Sequence, residues 1–364
     1  MRKLASIRKV SSLSPIEGRD RIELAHIDGW QVIVKKGEFN AGGLCIYIEI
    51  DSVMPEKPEF EFLRSKNFRI KTMRMAKTVS QGICFPVTIL PTGYYKEGQD
   101  VTEILGVKQY EPTMDIDPPE NKVVEQKKKY PKWLMKFEWF RKLVQPKPLD
   151  TSYPSMISKS DECRIQNCPE VLNDREKLWV ATEKIDGTNS AFVLERVKPT
   201  LFNREKFKYT VCSRNKSLPV EDDSAYWQIS RKYNIRQVLE EYLNKHKECQ
   251  WVVIRGEIIG PKIQKNKYKL EDYDLYVFDV IDSVIYRYDS LHARDYIESV
   301  GMKFVPIVSI NLGTLPETVD EVMKFAHGRS EVADIWREGL VFRSQTGRDS
   351  FKAVDPEFLL KYDE

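Results

Sequence analysis

The stretch of sequence that decides the interpretation of this chain is Glu183-Lys184-Ile185-Asp186-Gly187-Thr188-Asn189. It follows residues 178–181, whose apolar side chains predict a strand. A lysine at the end of a strand is presented to a cleft, where it can act as a nucleophile. The pattern Lys-x-Asp-Gly arises by chance in roughly one chain in twenty of this length, so a surface loop is the alternative unless other segments agree.

Five further segments downstream of this lysine agree with the first. A lysine that attacks the α-phosphorus of a nucleotide must be neutral, so its pKa has to be lowered by neighbouring positive charge or a bound metal ion. Each segment alone has an ordinary explanation as a strand end or core residue, but their order after Lys184 makes coincidence improbable. The segments are Ser213-Arg214-Asn215, Arg255-Gly256-Glu257-Ile258-Ile259-Gly260, Leu275-Tyr276-Val277-Phe278-Asp279-Val280, Glu338-Gly339-Leu340-Val341-Phe342-Arg343 and Ser350-Phe351-Lys352-Ala353.

These segments resemble motifs I, Ia, III, IIIa, IV and V of the covalent nucleotidyltransferase superfamily of ligases and RNA capping enzymes. Within that superfamily the chain is most similar to the RNA ligases, and residues 157–167 and 351–362 look like the fifth RNA ligase family. That family carries an OB domain in front of the catalytic domain. The resemblance is strong over residues 154–364 and rests on architecture alone before them.

The resemblance implies a role for each matching side chain. Lys184 would form lysyl-AMP with ATP as the donor, and Lys352 would neutralise the α-phosphate. Hydrated Mg²⁺ or Mn²⁺ would be bound near the lysine by Asp186, Glu257 and Glu338. Phe278 would stack on adenine, with Val341 or Leu340 on its other face. The residues expected to bind the nucleotide are Arg164, Gln166, Asp186, Gly187, Arg214, Glu257, Phe278, Val341 and Lys352.

Some of these assignments leave alternatives open. Arg164 and Arg214 suit phosphate or ribose contacts and Gln166 suits a base edge, but each is equally well explained as a structural hydrogen-bonding residue. Many relatives have a second lysine in the last motif, two positions after the first. Here Val354 stands at that position, and Lys361 is a substitute with poor spacing.

The pattern of apolar residues predicts an α+β protein with two domains. Strand-like runs at 30–34, 44–50, 68–72 and 82–87 indicate an OB-type β-barrel over residues 1–106. A basic and aromatic linker follows at 107–153, and a larger nucleotidyltransferase domain, an ATP-grasp-like ligase domain, at 154–364. Helical periodicity is clearest near 224–247 and 316–328. The barrel residues expected to contact nucleic acid are Lys35, Lys36, Arg64, Lys66, Arg69, Lys71 and Arg74.

The linker contains one predicted amphipathic helix at 133–143. Its interleaved basic and aromatic residues suit a nucleic-acid backbone. A helix that packs its aromatic face between two domains explains the same letters and is the favoured interpretation.

Composition limits the class of protein. With 364 residues, 41% hydrophobic and 31% charged, the chain is long enough for two folded domains. A net charge of +3 does not by itself indicate a nucleic-acid binder. The sequence contains no apolar run of the roughly 20 residues that span a bilayer, and its six cysteines are too scattered for a disulfide framework, so an intracellular protein without membrane contact is expected.

The expected function is therefore an ATP-dependent RNA ligase, acting as a monomer, that joins 3′-hydroxyl and 5′-phosphate RNA ends. Its relatives imply a nicked duplex with RNA at the 3′-hydroxyl side, as in RNA repair. A DNA ligase or capping enzyme is less expected, because those usually carry a closing domain after the last lysine motif. The alternative from another class is a non-catalytic OB-type nucleic-acid-binding protein.

Overall fold

The computed structural model describes residues 3–75, 77–110, 133–144, 149–198, 206–312 and 315–362. Within these ranges, the first domain is built from strands, two 3₁₀ segments (Pro58–Lys66 and Val87–Ile89) and one α-helical turn, α1 (Thr102–Leu105). Its strands are β1 (Ala5–Lys9), β2 (Ser12–Ile16), β3 (Arg19–Ile27), β4 (Trp30–Lys35), β5 (Leu44–Ile48), β6 (Ser52–Val53), β7 (Thr72–Met75), β8 (Thr78–Gln81), β9 (Ile83–Pro86) and β10 (Lys108–Gln109).

The barrel follows from the alternation of apolar residues along its strands. In β4, Trp30, Val32 and Val34 are buried while the residues between them are partly exposed, as period two requires. Strands β2, β3 and β4 form one antiparallel sheet, and β1, β5 and β9 form another. The short strand β10 pairs with β6, so the first domain continues past the predicted boundary at residue 106.

One predicted strand of the barrel is wrong in its position. Residues 68–72 were expected to be extended, but the strand starts at Thr72. The preceding Asn67 and Phe68 have φ angles of 50° and 57°, so the chain turns there in the left-handed region. The turn ends a 3₁₀ helix and buries the Phe68 ring, which gave that stretch its strand-like apolar character.

The linker holds a short helix, α2 (Glu138–Val144), after a 3₁₀ turn at Leu134–Lys136. The interpretation that this helix packs its aromatic face between two domains is wrong for three of the rings. Trp133, Phe137 and Trp139 are 63%, 48% and 62% exposed. They contact one another instead, with ring centroids 6.5 and 6.4 Å apart. The rest of 107–153 lies largely outside the described residues.

In the described residues, the second domain contains two five-stranded sheets. The first has the order β11-β20-β19-β12-β18 and the second β14-β13-β15-β16-β17. Their strands are β11 (Cys163–Arg164), β12 (Trp179–Glu183), β13 (Thr188–Arg196), β14 (Phe207–Cys212), β15 (Trp251–Ile259), β16 (Asp274–Asp282), β17 (Lys303–Phe304), β18 (Ile307–Leu312), β19 (Gly339–Ser344) and β20 (Ser350–Val354). The helices are α3 (Ala225–Lys232), α4 (Ile235–Lys245), α5 (Ser290–Ser299), α6 (Val319–Ala326) and α7 (Pro356–Tyr362).

The helices differ in part from the sequence pattern. The periodic stretch at 224–247 is two helices, because Asn234 adopts φ 48° between α3 and α4. The stretch at 316–328 contains α6, which begins at a capping box formed by Thr318 and Glu321. Helix α5 was not predicted; it begins where the Asp289 side chain accepts hydrogen bonds from two backbone amides.

The two sheets place the predicted catalytic lysine in a cleft. Strand β12 belongs to the first sheet and β13 to the second, so the connection between them, residues 184–187, crosses from one sheet to the other. Glu257 on β15 and Phe278 on β16 face this connection from the second sheet, whereas Lys352 on β20 faces it from the first. The motifs therefore converge although they are far apart in sequence.

The barrel contacts the edge of the first sheet that carries β11. The Trp30 indole donates to Asn167 Oδ1 at 3.2 Å, and Arg164 lies 3.4 Å from Asp51. At the other end of this contact, Leu359 of α7 packs against the barrel core. The two domains are thus joined next to the strand that carries Lys352.

Two expectations from composition concern the whole chain. Among the helices of the described residues, none combines the length and apolar character needed to cross a membrane. The six cysteines are all free thiols, as expected.

Candidate active site

Lys184 is held by its own backbone and by a carboxylate. Its amide donates to Gly339 O at 3.0 Å, which ties the lysine to the start of β19. Its ammonium lies 2.7 Å from Glu338 Oε2. Because Glu338 directly precedes Gly339, one backbone segment positions both the Lys184 amide and the carboxylate that pairs with the Lys184 ammonium.

Two glycines allow the segments that carry Lys184 and Glu338 to pack closely against neighbouring backbone. A Cβ atom at Gly187 would lie 2.3 Å from the carbonyl oxygen of Ile258, inside any allowed contact. A Cβ atom at Gly339 would lie 2.0 Å from the carbonyl oxygen of Ala353, and its φ of 151° is rarely adopted by other residues. The Asp-Gly and Glu-Gly pairs of the sequence are therefore steric requirements. Gly187 packs on β15 rather than lining the cleft.

The carboxylates around Lys184 dominate the electrostatics of the site. Burial on its own would lower the pKa of Lys184, but Glu338 and Glu257 raise it above its usual value. Burial raises the pKa of Glu257 to about 8, with Glu338 and Asp186 adding to the effect and Lys184 opposing it. The same causes raise the pKa of Asp186 to about 6, although Lys267 lowers it. The lysine therefore needs an added positive charge nearby before it becomes neutral.

Lys267 is a site residue that the sequence pattern did not reveal. Its ammonium pairs with Asp186 and lies 4.9 Å from the ring centre of Phe358 on α7. The neighbouring Tyr268 hydroxyl accepts a hydrogen bond from the Asp186 amide at 2.9 Å. Both belong to a lysine-rich loop after β15, and positive φ angles occur there at Lys262, Gln264, Lys265, Asn266 and Lys269. The sequence gives no signal for these left-handed φ angles, but it does show the high number of lysines in the loop.

Lys352 supplies the second ammonium of the cleft. It lies 2.8 Å from Asp161, which in turn lies 3.9 Å from Arg214. Burial lowers the pKa of Lys352 to about 8, with Arg164 and Lys184 acting in the same direction and Asp161 opposing them. A site that destabilises a buried cation in this way is suited to an anion such as phosphate.

Part of the cleft is lined by an aromatic side chain from one sheet and an aliphatic side chain from the other. Phe278 and Val341 line the same cleft from opposite sheets, together with Arg343. Arg343 supports the phenyl ring, since its guanidinium carbon is 5.4 Å from the ring centre and it donates to Phe278 O at 3.0 Å. Of the two residues expected opposite Phe278, Val341 lines the cleft, whereas Leu340 is fully buried in the core of the first sheet.

Several sequence-predicted residues lie outside the cleft lining: besides Asp186, Gly187, Glu338 and Leu340, they include Gln166, Arg164 and Lys361. Gln166 is buried beneath the barrel, where its amide lies 3.4 Å from Met323 Sδ. Arg164 pairs across β11 with the backbone of Lys352, and its guanidinium turns to Asp51. Lys361 on α7 lines a neighbouring cavity. The cleft itself is lined by Ser160, Asp161, Glu162, Thr182, Glu183, Lys184, Ile185, Asn189, Arg214, Glu257, Phe278, Val305, Val341, Arg343 and Lys352.

The three carboxylates predicted to hold a metal ion fit that role by charge. Asp186, Glu257 and Glu338 each act on the pKa of Lys184. Glu338 is paired with Lys184 and Asp186 with Lys267, and no three acidic, histidine or cysteine side chains of the described ranges converge on one point. The raised pKa values of Asp186 and Glu257 nevertheless mean that a divalent cation would stabilise their ionised forms, and carboxylate oxygens are the donors that Mg²⁺ and Mn²⁺ prefer.

Protein-family models match both domains of the chain. A family model described as OB-fold domain matches residues 4–87, and one described as RNA ligase matches residues 177–362, more than half of the chain. The chain belongs to the RNA ligase family. The predicted architecture, an α+β protein with an OB barrel ahead of a nucleotidyltransferase domain, is thereby confirmed.

Solved structures of Naegleria gruberi RNA ligase resemble the whole of this RNA ligase. The structure with PPi has 29% identity and a TM-score of 0.81, covering 100% of this chain and 99% of that one. A mutant with AMP and Mn has 28% identity and a TM-score of 0.81, with the same coverage. A mutant with ATP and Mn has 28% identity and a TM-score of 0.79, covering 99% of each chain. The prediction of an RNA ligase is confirmed, and the binding-protein, DNA ligase and capping alternatives gain no support.

The raised pKa of Glu257 predicts that Glu257→Gln makes the metal-free protein more stable. Folding shifts the pKa of this carboxyl up to about 8, so the wild type loses stability as the pH rises from about 4.5 through 8. Glutamine carries no charge, so the variant should gain on the order of 1 to 3 kcal/mol at pH 8 and almost nothing at pH 4.5. Thermal unfolding in EDTA at the two pH values measures this difference.

The exposed Glu17→Gln variant is the matched control and should unfold like the wild type at both pH values. Equal stabilisation of Glu257→Gln at both pH values would contradict the electrostatic explanation. A further check is added Mg²⁺, which should raise the midpoint of the wild type more than that of the variant.

Proposed function

We propose that this RNA ligase takes AMP from ATP onto Lys184, transfers it to a 5′-phosphate end, and seals that end to a 3′-hydroxyl at a nick in a duplex. The observation that carries the proposal is the cleft between the two sheets. It brings together Lys184, an acceptor 2.7 Å away in Glu338, a ring slot at Phe278 and a buried cation in Lys352.

In the first step Lys184 Nζ forms a bond to the α-phosphorus, and the bond from that phosphorus to the oxygen bridging to the β-phosphate breaks. Pyrophosphate leaves with the bonding electrons. Glu338 is placed to accept the proton that Lys184 must lose. Asp186, Glu257 and Glu338 would hold a divalent metal ion, whose positive charge would lower the pKa of the lysine and balance the phosphates.

The other residues bind and orient the nucleotide. Phe278 and Val341 hold the adenine ring between the sheets, and Arg343 keeps Phe278 in position from behind. Lys352 neutralises the α-phosphate, so that negative charge built up in the transition state is met by a cation already in place. Many relatives have a second lysine in the last motif at the position of Val354. Lys267 is the candidate to supply that positive charge here, since its ammonium pairs with Asp186.

The second and third steps use the same pocket. A 5′-phosphate oxygen attacks the phosphorus of lysyl-AMP, the phosphorus–nitrogen bond breaks, and a 5′-5′ pyrophosphate is formed. A 3′-hydroxyl then attacks the 5′-phosphate and AMP leaves. The adenylate thus turns a phosphate oxygen into part of a good leaving group. ATP and Mn in structures of the Naegleria enzyme support ATP as the donor and a divalent metal as its partner.

A nicked duplex with RNA on the 3′-hydroxyl side is the proposed substrate. The barrel sits directly beside β11 and the strand of Lys352, so a duplex entering the cleft would meet both domains. Of the barrel cations predicted to contact nucleic acid, Arg69 is engaged by Asp51 and by the ring of Tyr110, 3.8 Å away. Lys35 and Lys36 are exposed and are the better candidates. We propose that the enzyme acts as a monomer.

Competing substrates test this proposal. We expect the fastest sealing on a nicked duplex whose 3′-hydroxyl strand ends in ribonucleotides, and slower sealing by about 10-fold or more when that strand ends in deoxyribonucleotides, because the 2′-hydroxyl distinguishes the two. Single-stranded RNA with the same ends should be sealed more slowly than the nick. Initial rates with each substrate, under equal lysine adenylylation, measure the preference. Equal rates on all three would refute the assignment of a nick while leaving the ligase itself intact.

A further inference from the structure

A second cavity, of about 490 Å³, lies at the junction of the barrel and the ligase domain. That volume is within the range of about 300 to 1,000 Å³ in which organic ligands are usually bound. The barrel contributes Arg74 to the lining, and the ligase domain contributes His327, Trp336, Glu357, Leu360 and Lys361. None of these residues lines the nucleotide-binding cleft described above, and Lys361, the poorly spaced substitute for the second lysine of the last motif, lies here instead.

The aromatic floor of this cavity is held in place. His327 stacks on Trp336 with ring centroids 4.5 Å apart and planes 25° apart. The imidazole is fixed from behind by Asp355, 2.7 Å from Nδ1. The Arg329 guanidinium carbon lies 5.1 Å from the centre of the Trp336 ring system. A half-buried indole that is already ordered loses little conformational freedom when a flat ring stacks on it.

The charges around the floor favour an anion. Arg74 of the barrel pairs with Glu357, which leaves Lys361 as a cation with no ion pair among the described residues. Its ammonium lies 5.0 Å from the ring centre of Tyr362, at the exposed end of α7. An aromatic platform beside basic side chains is the combination that binds a nucleobase and its phosphate.

The cavity adjoins the catalytic cleft along two paths. Trp336 is two residues before Glu338, and two extended residues span at most about 7 Å. On the other side, Phe358 of the helix that carries Lys361 contacts Lys267, which pairs with Asp186. A polynucleotide whose end is in the cleft therefore has this cavity next to it, on the side of the barrel.

We propose that this cavity binds a nucleotide of the RNA close to the end that is being joined. The base stacks on the Trp336–His327 pair, and the phosphate is bound by Lys361 with help from Arg74. This inference rests on the proposed function, because it takes the cleft as the place where RNA ends react. It assigns to the cavity the selection and positioning of RNA, and no part in taking up AMP.

Two variants test the assignment, Trp336→Ala and Lys361→Gln, with Trp336→Phe as the conservative control. The first readout is label transfer from α-labelled ATP to the protein. The second is the KM for a nicked RNA duplex in sealing under saturating ATP. We expect label transfer within about twofold of the wild type for all three proteins. The KM for RNA should rise about 10- to 100-fold in Trp336→Ala, less in Lys361→Gln, and little in Trp336→Phe.

The possible results separate the two hypotheses. An unchanged KM for RNA in both Trp336→Ala and Lys361→Gln would overturn the cavity assignment while leaving the ligase in place. Equal loss of label transfer and sealing in Lys361→Gln, whose side chain is exposed, would also overturn it, because the cavity would then serve the first step or the fold. Absence of label on the wild-type protein would instead refute the proposed function on which the assignment rests.

Discussion

Replacing Lys184 with alanine is expected to abolish label transfer from α-labelled ATP and, with it, the sealing of 5′-phosphate ends. The loss should exceed about 1,000-fold, because no nearby nucleophile can replace a side chain that forms the covalent bond itself. Lys352 carries the other ammonium in the lining of the cleft. It lies on a strand of the first sheet and pairs with Asp161, whereas Lys184 pairs with Glu338.

The same variant separates the steps of the reaction. Lys184→Ala should still seal a nicked duplex whose 5′-phosphate has been adenylylated beforehand, because the last step needs the pocket but no new bond to the lysine. Lys324→Ala, which removes an exposed lysine of α6, is the matched control and should behave like the wild type in all assays. Label retained on Lys184→Ala would refute the assignment of the nucleophile.

Lys352→Met is expected to have the second largest effect. The substitution keeps a long side chain but removes the charge that faces the α-phosphate, so label transfer should fall by about 100-fold or more. Lys352→Arg restores a charge and should recover part of the activity, because its guanidinium has a different shape and reach. Label transfer at saturating and at limiting ATP measures whether the loss lies in the reaction step or in binding.

The pH dependence gives Lys352 a second test. In the free protein the pKa of Lys352 is lowered to about 8, so its positive charge is lost as the pH rises through that value. The kcat/KM for ATP in the wild type should therefore decline above about pH 8. Lys352→Arg stays protonated and should lack this decline even if its activity is lower. A decline of the same size in the arginine variant would show that another group causes it.

The sequence predicted the parts of the site that depend on local motifs. Lys184, Asp186, Glu257 and Glu338 were predicted because each stands within three residues of a glycine in a short motif in or beside an apolar stretch. The two glycines of those motifs have a steric reason that the structure makes plain, since a side chain at Gly187 or Gly339 would overlap a neighbouring backbone.

The parts that the sequence did not predict depend on contacts between distant segments. Lys267 reaches Asp186 only because the loop after β15 adopts left-handed φ angles and α7 packs over it. Gln166 belongs to the matching stretch before the lysine, yet the barrel covers it. The break at Asn234 and the turn at Asn67 and Phe68 are changes of one or two residues inside apolar stretches whose periodicity continues through them.

The measurement that tests the central claim most directly is the location of AMP on the protein. Purified protein, freed of any bound AMP, is incubated with ATP and Mg²⁺ or Mn²⁺, and its intact mass and peptides are analysed. The account predicts the gain of a single AMP group, located on the peptide that contains Lys184. An adduct on any other residue, or no adduct with either metal in folded protein, would contradict it.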